Sequence, residues 1–301
     1  METPSVPDFD TLVIGGGPGG LTGALYLARF RRRVLVVDEG CSRAARIPRS
    51  HNMPGYPDGV MGAELVASIR RQAERYGAEM AVGRVDVLEK VEEGFIARWG
   101  AEVVRARTVL LATGASDIEP PVPYLDEAVR TGALRYCPVC DGYEVIDQAV
   151  GIIADGPAGV REALYLRSFT PRLTVFPVSG EVNFSAEERR QLAEAGVALS
   201  TEPVGSIRLW NGTVTVRHGN RETPCDSLYG ALGMHVHTEL VPAAERDGSG
   251  YLVTDSHQQT SIDGIYAAGD VTQGLNQISV AMGEAAIAAS AIHLALGCAW
   301  R

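Results

Sequence analysis

The sequence feature that most constrains the fold is a glycine-rich loop between a short apolar strand and a helix. Thr11–Ile14 is apolar and contains β-branched residues, residues 15–20 read GGGPGG, and Leu21–Arg29 has the length and apolar pattern of a helix. A second strand, Arg33–Val37, follows and ends at Asp38. A strand, a tight turn, a helix and another strand in this order are the βαβ signature of a parallel sheet. The sequence therefore predicts an α/β fold.

A second unit of the same plan begins near the middle of the chain. Ala149–Ile153 is an apolar strand, residues 154–159 (ADGPAG) occupy the turn, Val160–Phe169 has a helical pattern, and Leu173–Phe176 is the next strand. The chain has 301 residues, and one domain takes roughly 150 residues. The sequence therefore predicts two Rossmann-like nucleotide-binding domains, each a three-layer ββα arrangement.

The remaining strong elements predict how the two domains share the chain. Thr108–Gly114 is a strand that runs into a tight turn, and Ile118–Pro123 has the composition of a linker. Near the C-terminus, Gly264–Ala268 is a strand and Ile278–Leu296 is a long helix. A ligand at the first glycine loop needs more surrounding protein surface than one short sheet provides. We therefore assign these C-terminal elements to the first domain. The predicted domains are residues 1–119 with 241–301, and residues 120–240 inserted between them.

Composition and charge exclude several classes of function. The chain is 46% hydrophobic and carries 27 basic and 37 acidic residues, a net charge of −10. This composition argues against disorder and coiled coil, and the charge argues against binding to nucleic acid or an anionic membrane. Residues 1–10 show no signal peptide, and the apolar stretches 11–30 and 278–296 are predicted to be buried elements rather than membrane spans. We expect a soluble cytoplasmic protein.

The first glycine loop predicts an adenine dinucleotide site. Gly15, Gly17 and Gly20 satisfy GxGxxG, and Asp38 lies at the end of the next strand. Such glycines allow close approach of the backbone to a pyrophosphate at a helix N-terminus, and the carboxylate accepts ribose hydroxyls. The predicted contacts in this segment are Gly15, Gly16, Gly17, Pro18, Gly19, Gly20, Asp38 and Glu39.

The loop itself does not decide between FAD and NAD, but the C-terminal segment favours FAD. Asp270 follows the strand in YAAGD (266–270), and a helix starts near Gln277. Asp270 could accept a hydrogen bond from a ribityl hydroxyl, and the helix dipole would stabilise an anionic reduced flavin. The alternative is an ordinary capping aspartate.

Cys137 and Cys140 form the one CxxC pair of the sequence (CPVC). This spacing allows a redox disulfide whose thiols exchange with a substrate, and Asp141 could donate or accept the proton. Zinc would need two further ligands, whereas the other cysteines, Cys41, Cys225 and Cys298, are scattered singly. Two inert cysteines and a plain Asp–Gly turn are the remaining alternatives. We favour the redox disulfide, predict no metal site, and assign the histidines no role, although His51 is the best candidate for a position near a flavin.

Four motifs resemble low-molecular-weight thioredoxin reductases in order and spacing, over nearly the whole chain. They are GGGPGG at 15–20, LLATGA at 110–115, CPVCDG at 137–142 and YAAGDV at 266–271. The resemblance implies a homodimer with an FAD domain split by an inserted domain that carries the dithiol. It also implies that Cys140 lies against the flavin, that Cys137 reacts with the substrate disulfide, and that Asp141 handles protons.

The resemblance also extends the predicted cofactor site. Asn52 and Gln277 match an asparagine and a glutamine beside the flavin in that family, while Asn276 stands where an arginine is usual. The motifs and the start of the last helix add Thr113, Gly114, Gly269, Asp270 and Ile278 to the cofactor contacts.

The second glycine loop departs from the family pattern. Ala154 replaces its first glycine, Asp155 adds a negative charge, and Pro157 removes a backbone donor. The family places arginines for the 2′-phosphate after the next strand, where this chain has Phe176-Pro177-Val178-Ser179. Arg189 or Arg190 could substitute from elsewhere, but efficient use of NADPH is not expected.

The sequence thus predicts an FAD-dependent dithiol/disulfide oxidoreductase of thioredoxin-reductase type. Its substrate would be a thioredoxin-like protein or a small dithiol or disulfide, and a protein such as ferredoxin could donate electrons. Three alternatives stay open: a conventional NADPH-dependent thioredoxin-disulfide reductase, an oxygen-dependent oxidase of a small dithiol, and a non-catalytic flavin sensor. Oxidases of that kind often carry histidine after the second cysteine, so Asp141 argues mildly against them. Both cysteines and Asp141 argue against the sensor.

Overall fold

The structure is a computed structural model that describes residues 8–178, 184–210 and 213–297. These residues form helices and strands in an alternating α/β order, as the sequence predicts. The strands are β1 (Phe9–Ile14), β2 (Val34–Asp38), β3 (Glu79–Val82), β4 (Val87–Val91), β5 (Gly94–Trp99), β6 (Glu102–Leu111), β7 (Ala115–Asp117), β8 (Leu134–Arg135), β9 (Val150–Ala154), β10 (Leu173–Phe176), β11 (Ala198–Leu199), β12 (Val204–Trp210), β13 (Thr213–His218), β14 (Arg221–Cys225), β15 (Ser227–Ala231), β16 (Met234–Val236) and β17 (Ile265–Ala267). The helices are α1 (Pro18–Arg29), α2 (Gly62–Arg75), α3 (Leu125–Arg130), α4 (Pro138–Asp141), α5 (Gly156–Leu166), α6 (Ala186–Glu194) and α7 (Ile278–Ala295).

The first sheet has the order β3-β2-β1-β6-β5-β4, with β17 paired to β6. Strands β1, β2, β3, β6 and β17 are parallel, and β4 and β5 are antiparallel to their neighbours. Ile14 lies opposite both Val37 and Leu111, so three carboxyl ends meet at one edge of the sheet. That edge is where parallel α/β sheets place their ligands.

Helices α1 and α7 pack against each other on one face of this sheet. The contact is close because α7 turns a row of small buried residues, including Ala281, Ala285 and Ala288, toward its neighbour. Gly23 of α1 has no room for a Cβ, which would lie 2.3 Å from the side chain of Leu110. Among the described residues, α7 is the one helix long and apolar enough to cross a membrane by length and composition. One face of α7 packs on α1, and its buried residues are Ala281, Ala285, Ala288, Ala289 and Ile292.

The second parallel sheet has the order β11-β10-β9-β15-β8. A three-stranded antiparallel sheet, β12-β13-β14, follows it in sequence, and β7 pairs antiparallel with β16 as a two-stranded ribbon. The ribbon takes one strand from each side of the segment that contains the second sheet. The domain boundaries at residues 120 and 241 stay a prediction.

The sequence predicts both βαβ units, but it places the helix starts too late. Helix α1 begins at Pro18 rather than at Leu21, and α5 begins at Gly156 rather than at Val160. In both helices a proline stands at the first or second position, where its missing N–H and fixed φ cost nothing. The first turn of each helix therefore lies within the glycine-rich segment that precedes the predicted helix.

Candidate active site

A cavity of about 590 Å³ runs along the carboxyl edge of the first sheet and reaches the CxxC turn. Its volume lies within the usual range for small-molecule sites. All of the residues predicted to bind the cofactor line it, with the exception of Gly20. They are Gly15, Gly16, Gly17, Pro18, Gly19, Asp38, Glu39, Asn52, Thr113, Gly114, Gly269, Asp270, Gln277 and Ile278. Cys137, Cys140 and Asp141 line the same cavity.

The glycine loop forms a cradle in which a side chain would not fit. Gly15 has a φ of +108°, and a Cβ on Gly16 would lie 2.3 Å from the carboxylate of Asp38. Gly20 does not line the cavity but allows close packing of the loop, because a Cβ added at Gly20 would lie 1.9 Å from the carbonyl oxygen of Gly15. The turn therefore brings backbone N–H groups at the start of α1 to the cavity, where they can bind an anion.

The carboxylate of Asp38 is fixed at the end of β2 by two donors. Oδ1 accepts a 3.1 Å hydrogen bond from the Gly16 N–H, and Oδ2 lies 2.6 Å from Nη2 of Arg70. A carboxylate has four acceptor sites, so Asp38 can still accept ribose hydroxyls. Sequence reasoning missed Arg70, because no motif in helix α2 marks it as a partner of Asp38.

An arginine that the sequence did not single out, Arg43, also lines the cavity. Arg43 makes two 2.8 Å contacts with the carboxylate of Asp117, and its Nη1 lies 3.4 Å from Oδ2 of Asp270. Burial raises the pKa of Asp270 above its usual range, and Arg43 opposes the shift. Asp270 therefore lines the cavity beside a cation, and a polar ligand could contact both side chains. Its role in binding the cofactor stays a prediction.

Cys137 and Cys140 form a disulfide at the start of the short helix α4. Nε2 of Gln277 lies 3.3 Å from both sulfur atoms. Oε1 of the same amide accepts a 2.9 Å hydrogen bond from Asn52, whose own Oδ1 accepts one from Ser50. A chain of polar groups thus fixes the amide that faces the disulfide, and both sequence-predicted amides belong to it.

Asp141 is held by two partners that lie opposite each other on the adjacent strands β8 and β15 of the second sheet. Oδ2 pairs with Nη1 of Arg135 at 2.9 Å, and Oδ1 accepts a 2.6 Å hydrogen bond from the fully buried Tyr229. Burial raises the pKa of Asp141 above its usual range, against the opposing effects of Arg135 and of the Tyr229 hydrogen bond. Sequence reasoning missed both partners. The only hint in the sequence was the position of Arg135, two residues before the CxxC.

Among the described residues, Cys41 and Cys225 are free cysteines. Cys41 is an exposed free thiol at the edge of the cavity, and Cys225 is buried in a separate core cluster. Burial raises the pKa of Cys225 to about 12, so its thiol stays protonated. Cys298 lies outside the described residues. His51 lines the cavity but packs against Gly59 near its outer edge.

In the second glycine loop, the carboxylate of Asp155 is bound to the segment that follows β10. Oδ1 of Asp155 accepts a 3.1 Å hydrogen bond from the N–H of Val178, just after β10. Gly156 has a φ of +62°, and Ala154 packs so closely on Gly159 that a Cβ there would lie 2.3 Å away. Ser179, the last residue of the segment compared with the family's arginines, lies outside the described residues.

The two arginines considered as substitutes both lie on α6. Arg190 pairs with Glu187 at 2.6 Å and lies 3.7 Å from Glu194. Nε of Arg189 donates to the carbonyl oxygen of Ser185 at 3.4 Å. Both arginine side chains therefore bind acceptors on α6 or at its N-cap.

The residues that line the cavity fit FAD. Gly15, Gly16 and Gly17 line the cavity at the start of α1, where the backbone can approach a pyrophosphate, and Asp38 is placed for an adenosine ribose. Asp270 and Arg43 line the same cavity, and a ribityl chain would need polar partners of this kind. Gln277 caps the N-terminus of α7, whose dipole favours negative charge on a ring beside it.

Comparisons with known proteins agree with this geometry. Residues 9–285 match the pyridine nucleotide-disulphide oxidoreductase family. The thioredoxin reductase of Treponema pallidum (strain Nichols) is 31% identical, over 97% of each chain. The solved structure of thioredoxin reductase from Streptococcus pyogenes MGAS5005 aligns with a TM-score of 0.86 at 30% identity, over 95% of this chain and 98% of that one. The structure of HlmI aligns with a TM-score of 0.87 at 31% identity, over 95% and 92% of the two chains.

Proposed function

The chain belongs to the pyridine nucleotide-disulphide oxidoreductase family as a thioredoxin-reductase-like flavoprotein, and from this premise we propose that it passes electrons between FAD and the Cys137–Cys140 pair without efficient use of NADPH. The observation that carries the redox part is that the disulfide and the glycine cradle line one cavity. A dithiol far from the cofactor site could not exchange electrons with it. The compartment and the oligomeric state, cytoplasm and homodimer, stay predictions.

Reduction of the disulfide takes two electrons and two protons. The S–S bond between Cys137 and Cys140 breaks, and two thiols form. FAD, when bound, supplies the two-electron redox chemistry that the side chains lack. In the reverse direction the two thiols give up the same electrons and protons, so the site can serve reduction or oxidation of a substrate.

Gln277 stabilises the sulfur atom that carries negative charge. Its Nε2 faces both sulfur atoms at 3.3 Å, and Asn52 orients the amide through Oε1. A hydrogen bond to a charged group contributes more than one to a neutral group. The amide therefore favours the thiolate, which is the form that attacks a disulfide.

Asp141 holds the proton that a leaving thiolate needs. Its carboxyl group follows Cys140 directly, and burial raises its pKa, which keeps a protonated fraction at higher pH than an exposed aspartate has. Arg135 and Tyr229 fix its orientation.

The proposal that NADPH is used poorly rests on Asp155. Its carboxylate lies at the start of α5 and binds the N–H of Val178, next to the segment where arginines would hold a 2′-phosphate. A negative charge about 5 Å from a phosphate costs roughly 1–3 kcal/mol at the effective dielectric constants of a partly exposed site. Such a cost weakens binding by roughly 5- to 150-fold.

A thioredoxin-like protein is the proposed partner, with a small dithiol or disulfide as the alternative. The support is that several similar proteins are named thioredoxin reductase. These names also favour a second candidate function, that of a conventional NADPH-dependent thioredoxin-disulfide reductase.

Anaerobic titration of the FAD-loaded protein separates the candidate functions. The absorbance band near 450 nm is followed while NADPH, NADH, dithiothreitol or a reduced ferredoxin is added. Bleaching by dithiols or ferredoxin but not by NADPH is the expected result. Rapid stoichiometric bleaching by NADPH would establish the conventional reductase instead, and no bleaching by any donor would favour a sensor. A Cys137→Ser/Cys140→Ser variant is the control, because it keeps the FAD site and removes the dithiol.

A further inference from the structure

Two histidines and a glutamate form a compact cluster on the β7–β16 ribbon, outside the redox site. They are His235, His237 and Glu239, and one ligand atom from each lies within 4.8 Å of the other two. Nε2 of His235 lies 2.9 Å from Oε1 of Glu239, and the two imidazole rings are 5.1 Å apart. The redox chemistry uses none of the three residues. We propose that this cluster is a binding site for a divalent transition-metal ion of the zinc class.

The strand pattern explains why both imidazoles face the same way. Side chains alternate along a strand, so His235 and His237 share one face while Val236 points to the other. Val236 is buried in the core of the first sheet, which fixes the orientation of the ribbon. His235 on β16 and His237 directly after its end therefore form a His-x-His pair on one side of the chain.

The backbone that carries these ligands is held in place before any ion binds. The N–H of His237 donates to the carbonyl oxygen of Gly114 at 3.0 Å, and its carbonyl oxygen accepts from Thr113 at 2.6 Å. The guanidinium of Arg246 makes four hydrogen bonds to the turn that carries Glu239, with acceptors on Thr238, Val241 and Pro242. A site fixed in this way loses little conformational entropy when it binds.

Ser116 supplies an outer partner for one imidazole. It lies opposite His235 in the ribbon, and its Oγ is 2.8 Å from Nε2 of His237. A metal-binding histidine usually has its second ring nitrogen hydrogen-bonded in this manner, which fixes the tautomer. Nδ1 of His237 is then the nitrogen that faces the ion.

The donor set selects the class of ion. Two imidazoles and one carboxylate suit zinc and its neighbours, whereas magnesium and calcium prefer oxygen ligands alone. Donors on a zinc ion lie roughly 3–4 Å apart, and small rotations of exposed side chains close the remaining gap. Three protein ligands leave at least one position for water or an anionic ligand. His237 and Glu239 also line the edge of the FAD cavity, so the ion would lie at its rim.

Zinc titration of tag-free, FAD-loaded, disulfide-oxidised protein tests the site. A Cys41→Ser background removes the exposed thiol, and a chromophoric chelator reports free zinc. We expect one ion per chain, and binding that is at least about tenfold weaker in His235→Gln and in Glu239→Gln. His257→Gln is the matched control, because His257 is exposed and lies 3.9 Å from Asp255 without a second histidine in the group.

Cobalt provides an independent measurement, because its visible absorption reports imidazole and carboxylate ligands directly. The bands should appear with one equivalent of Co²⁺, persist in His257→Gln and disappear in His237→Gln. Ser116→Ala should weaken binding by about 10- to 100-fold, as loss of an outer hydrogen bond does at other metal sites. Equal zinc affinity and stoichiometry in His235→Gln and the parent protein, or no binding below millimolar zinc, would overturn the proposal.

Discussion

The hydroxyl group of Tyr229 donates a 2.6 Å hydrogen bond to Oδ1 of Asp141, the acidic residue that follows the redox cysteines. The contact joins the middle of β15 to the end of α4 and ties the proton-handling group to the core of the second sheet. Arg135 holds the other carboxylate oxygen at 2.9 Å. Together they oppose the rise in pKa that burial causes at Asp141.

Tyr229→Phe should shift the pH dependence of disulfide reduction. The hydrogen bond from Tyr229 stabilises the carboxylate, so its loss raises the pKa of Asp141 further. The protonated acid then persists to higher pH, and the alkaline limb of the rate profile moves in that direction. The variant should also lose roughly 1.5–3 kcal/mol of stability, because a hydrogen bond to a charged group is lost. Stopped-flow rates between pH 5 and 9 provide the profile.

Tyr165→Phe is the control for that change, since Tyr165 is an exposed tyrosine on α5. A profile of Tyr229→Phe that coincides with the parent's would show that Asp141 does not carry the rate-determining proton. Arg135→Gln should move the limb in the same direction, because Arg135 also lowers the pKa of Asp141.

Gln277→Ala should slow electron exchange with the dithiol. The variant loses the amide that faces both sulfur atoms at 3.3 Å, and with it a hydrogen bond to the thiolate. Loss of a hydrogen bond to a charged group costs roughly 1.5–3 kcal/mol, which corresponds to a rate at least about tenfold lower. Single-turnover reduction by dithiothreitol measures this rate, and FAD content is checked first. Gln273→Ala, at an exposed position four residues earlier, should keep the parent rate.

Gly16→Ala should weaken FAD binding. The added Cβ would lie 2.3 Å from the carboxylate of Asp38 and must displace it or the loop. Overpacking of this kind costs typically 1–3 kcal/mol, and we expect FAD affinity to fall by roughly 5- to 150-fold. The ratio of absorbance at 450 and 280 nm after dialysis gives the occupancy.

Gly283→Ala is the matched control for the glycine prediction. Gly283 lies within α7, and a Cβ there would meet no heavy atom within 4 Å. Alanine in a helix interior is more stable than glycine by roughly 0.5–1 kcal/mol. FAD content of Gly16→Ala equal to that of Gly283→Ala would contradict the role of the cradle.

The sequence predicts those parts of the site that lie within single local motifs. The glycine loop and the CxxC turn can each be recognised from a few neighbouring residues, and Gln277 was identified through the family resemblance. The structure places all three around one cavity. Such motifs can be recognised from sequence because their function depends on local backbone geometry and on the short spacing of their residues. The parallel pairing of β1 with β2 and β6 then brings the motifs to the same edge.

The partners of the predicted residues could not be read from the sequence. Arg70 reaches Asp38 from a helix 32 residues away, and Tyr229 reaches Asp141 from a strand 88 residues away. Such contacts depend on how sheets and helices pack, and a lone arginine or tyrosine leaves no periodic signal. The ligand pair at His235 and His237 was likewise discounted, because two histidines become a site only when the strand face and the turn to Glu239 are known.

Glu162→Gln should stabilise the protein at alkaline pH. Oε2 of Glu162 is buried without a hydrogen-bond partner among the described residues, and burial raises its pKa from 4.5 to about 7. A carboxyl group whose folded pKa is raised stabilises the fold at low pH and loses that contribution as pH rises through the folded value. Glutamine stays neutral, so the gain at pH 8.5 should approach about 2–3 kcal/mol and become small at pH 5.

Urea denaturation at pH 5.0 and 8.5 measures this difference. Glu93→Gln makes the same chemical change in an exposed turn and should leave the pH dependence of the parent unaltered. A gain for Glu162→Gln that is equal at both pH values would show that the carboxyl group titrates in the same range in the folded and unfolded chains.

Asp155→Asn should improve binding of NADPH. Asparagine keeps an oxygen that can accept the hydrogen bond from Val178, so the loop conformation is retained while the negative charge disappears. Removal of a charge about 5 Å from a phosphate is worth roughly 1–3 kcal/mol, and the dissociation constant for NADPH should fall by roughly 5- to 150-fold.

Asp263→Asn is the control, since it makes the same charge change at an exposed carboxylate beside Lys90. Equilibrium titration of the oxidised, FAD-loaded proteins gives both constants at fixed ionic strength. If Asp155→Asn and Asp263→Asn bind NADPH with the same affinity as the parent, the carboxylate is not what limits the nucleotide. Ala154→Gly, which restores the GxGxxG pattern at 154–159, is then the next variant to measure.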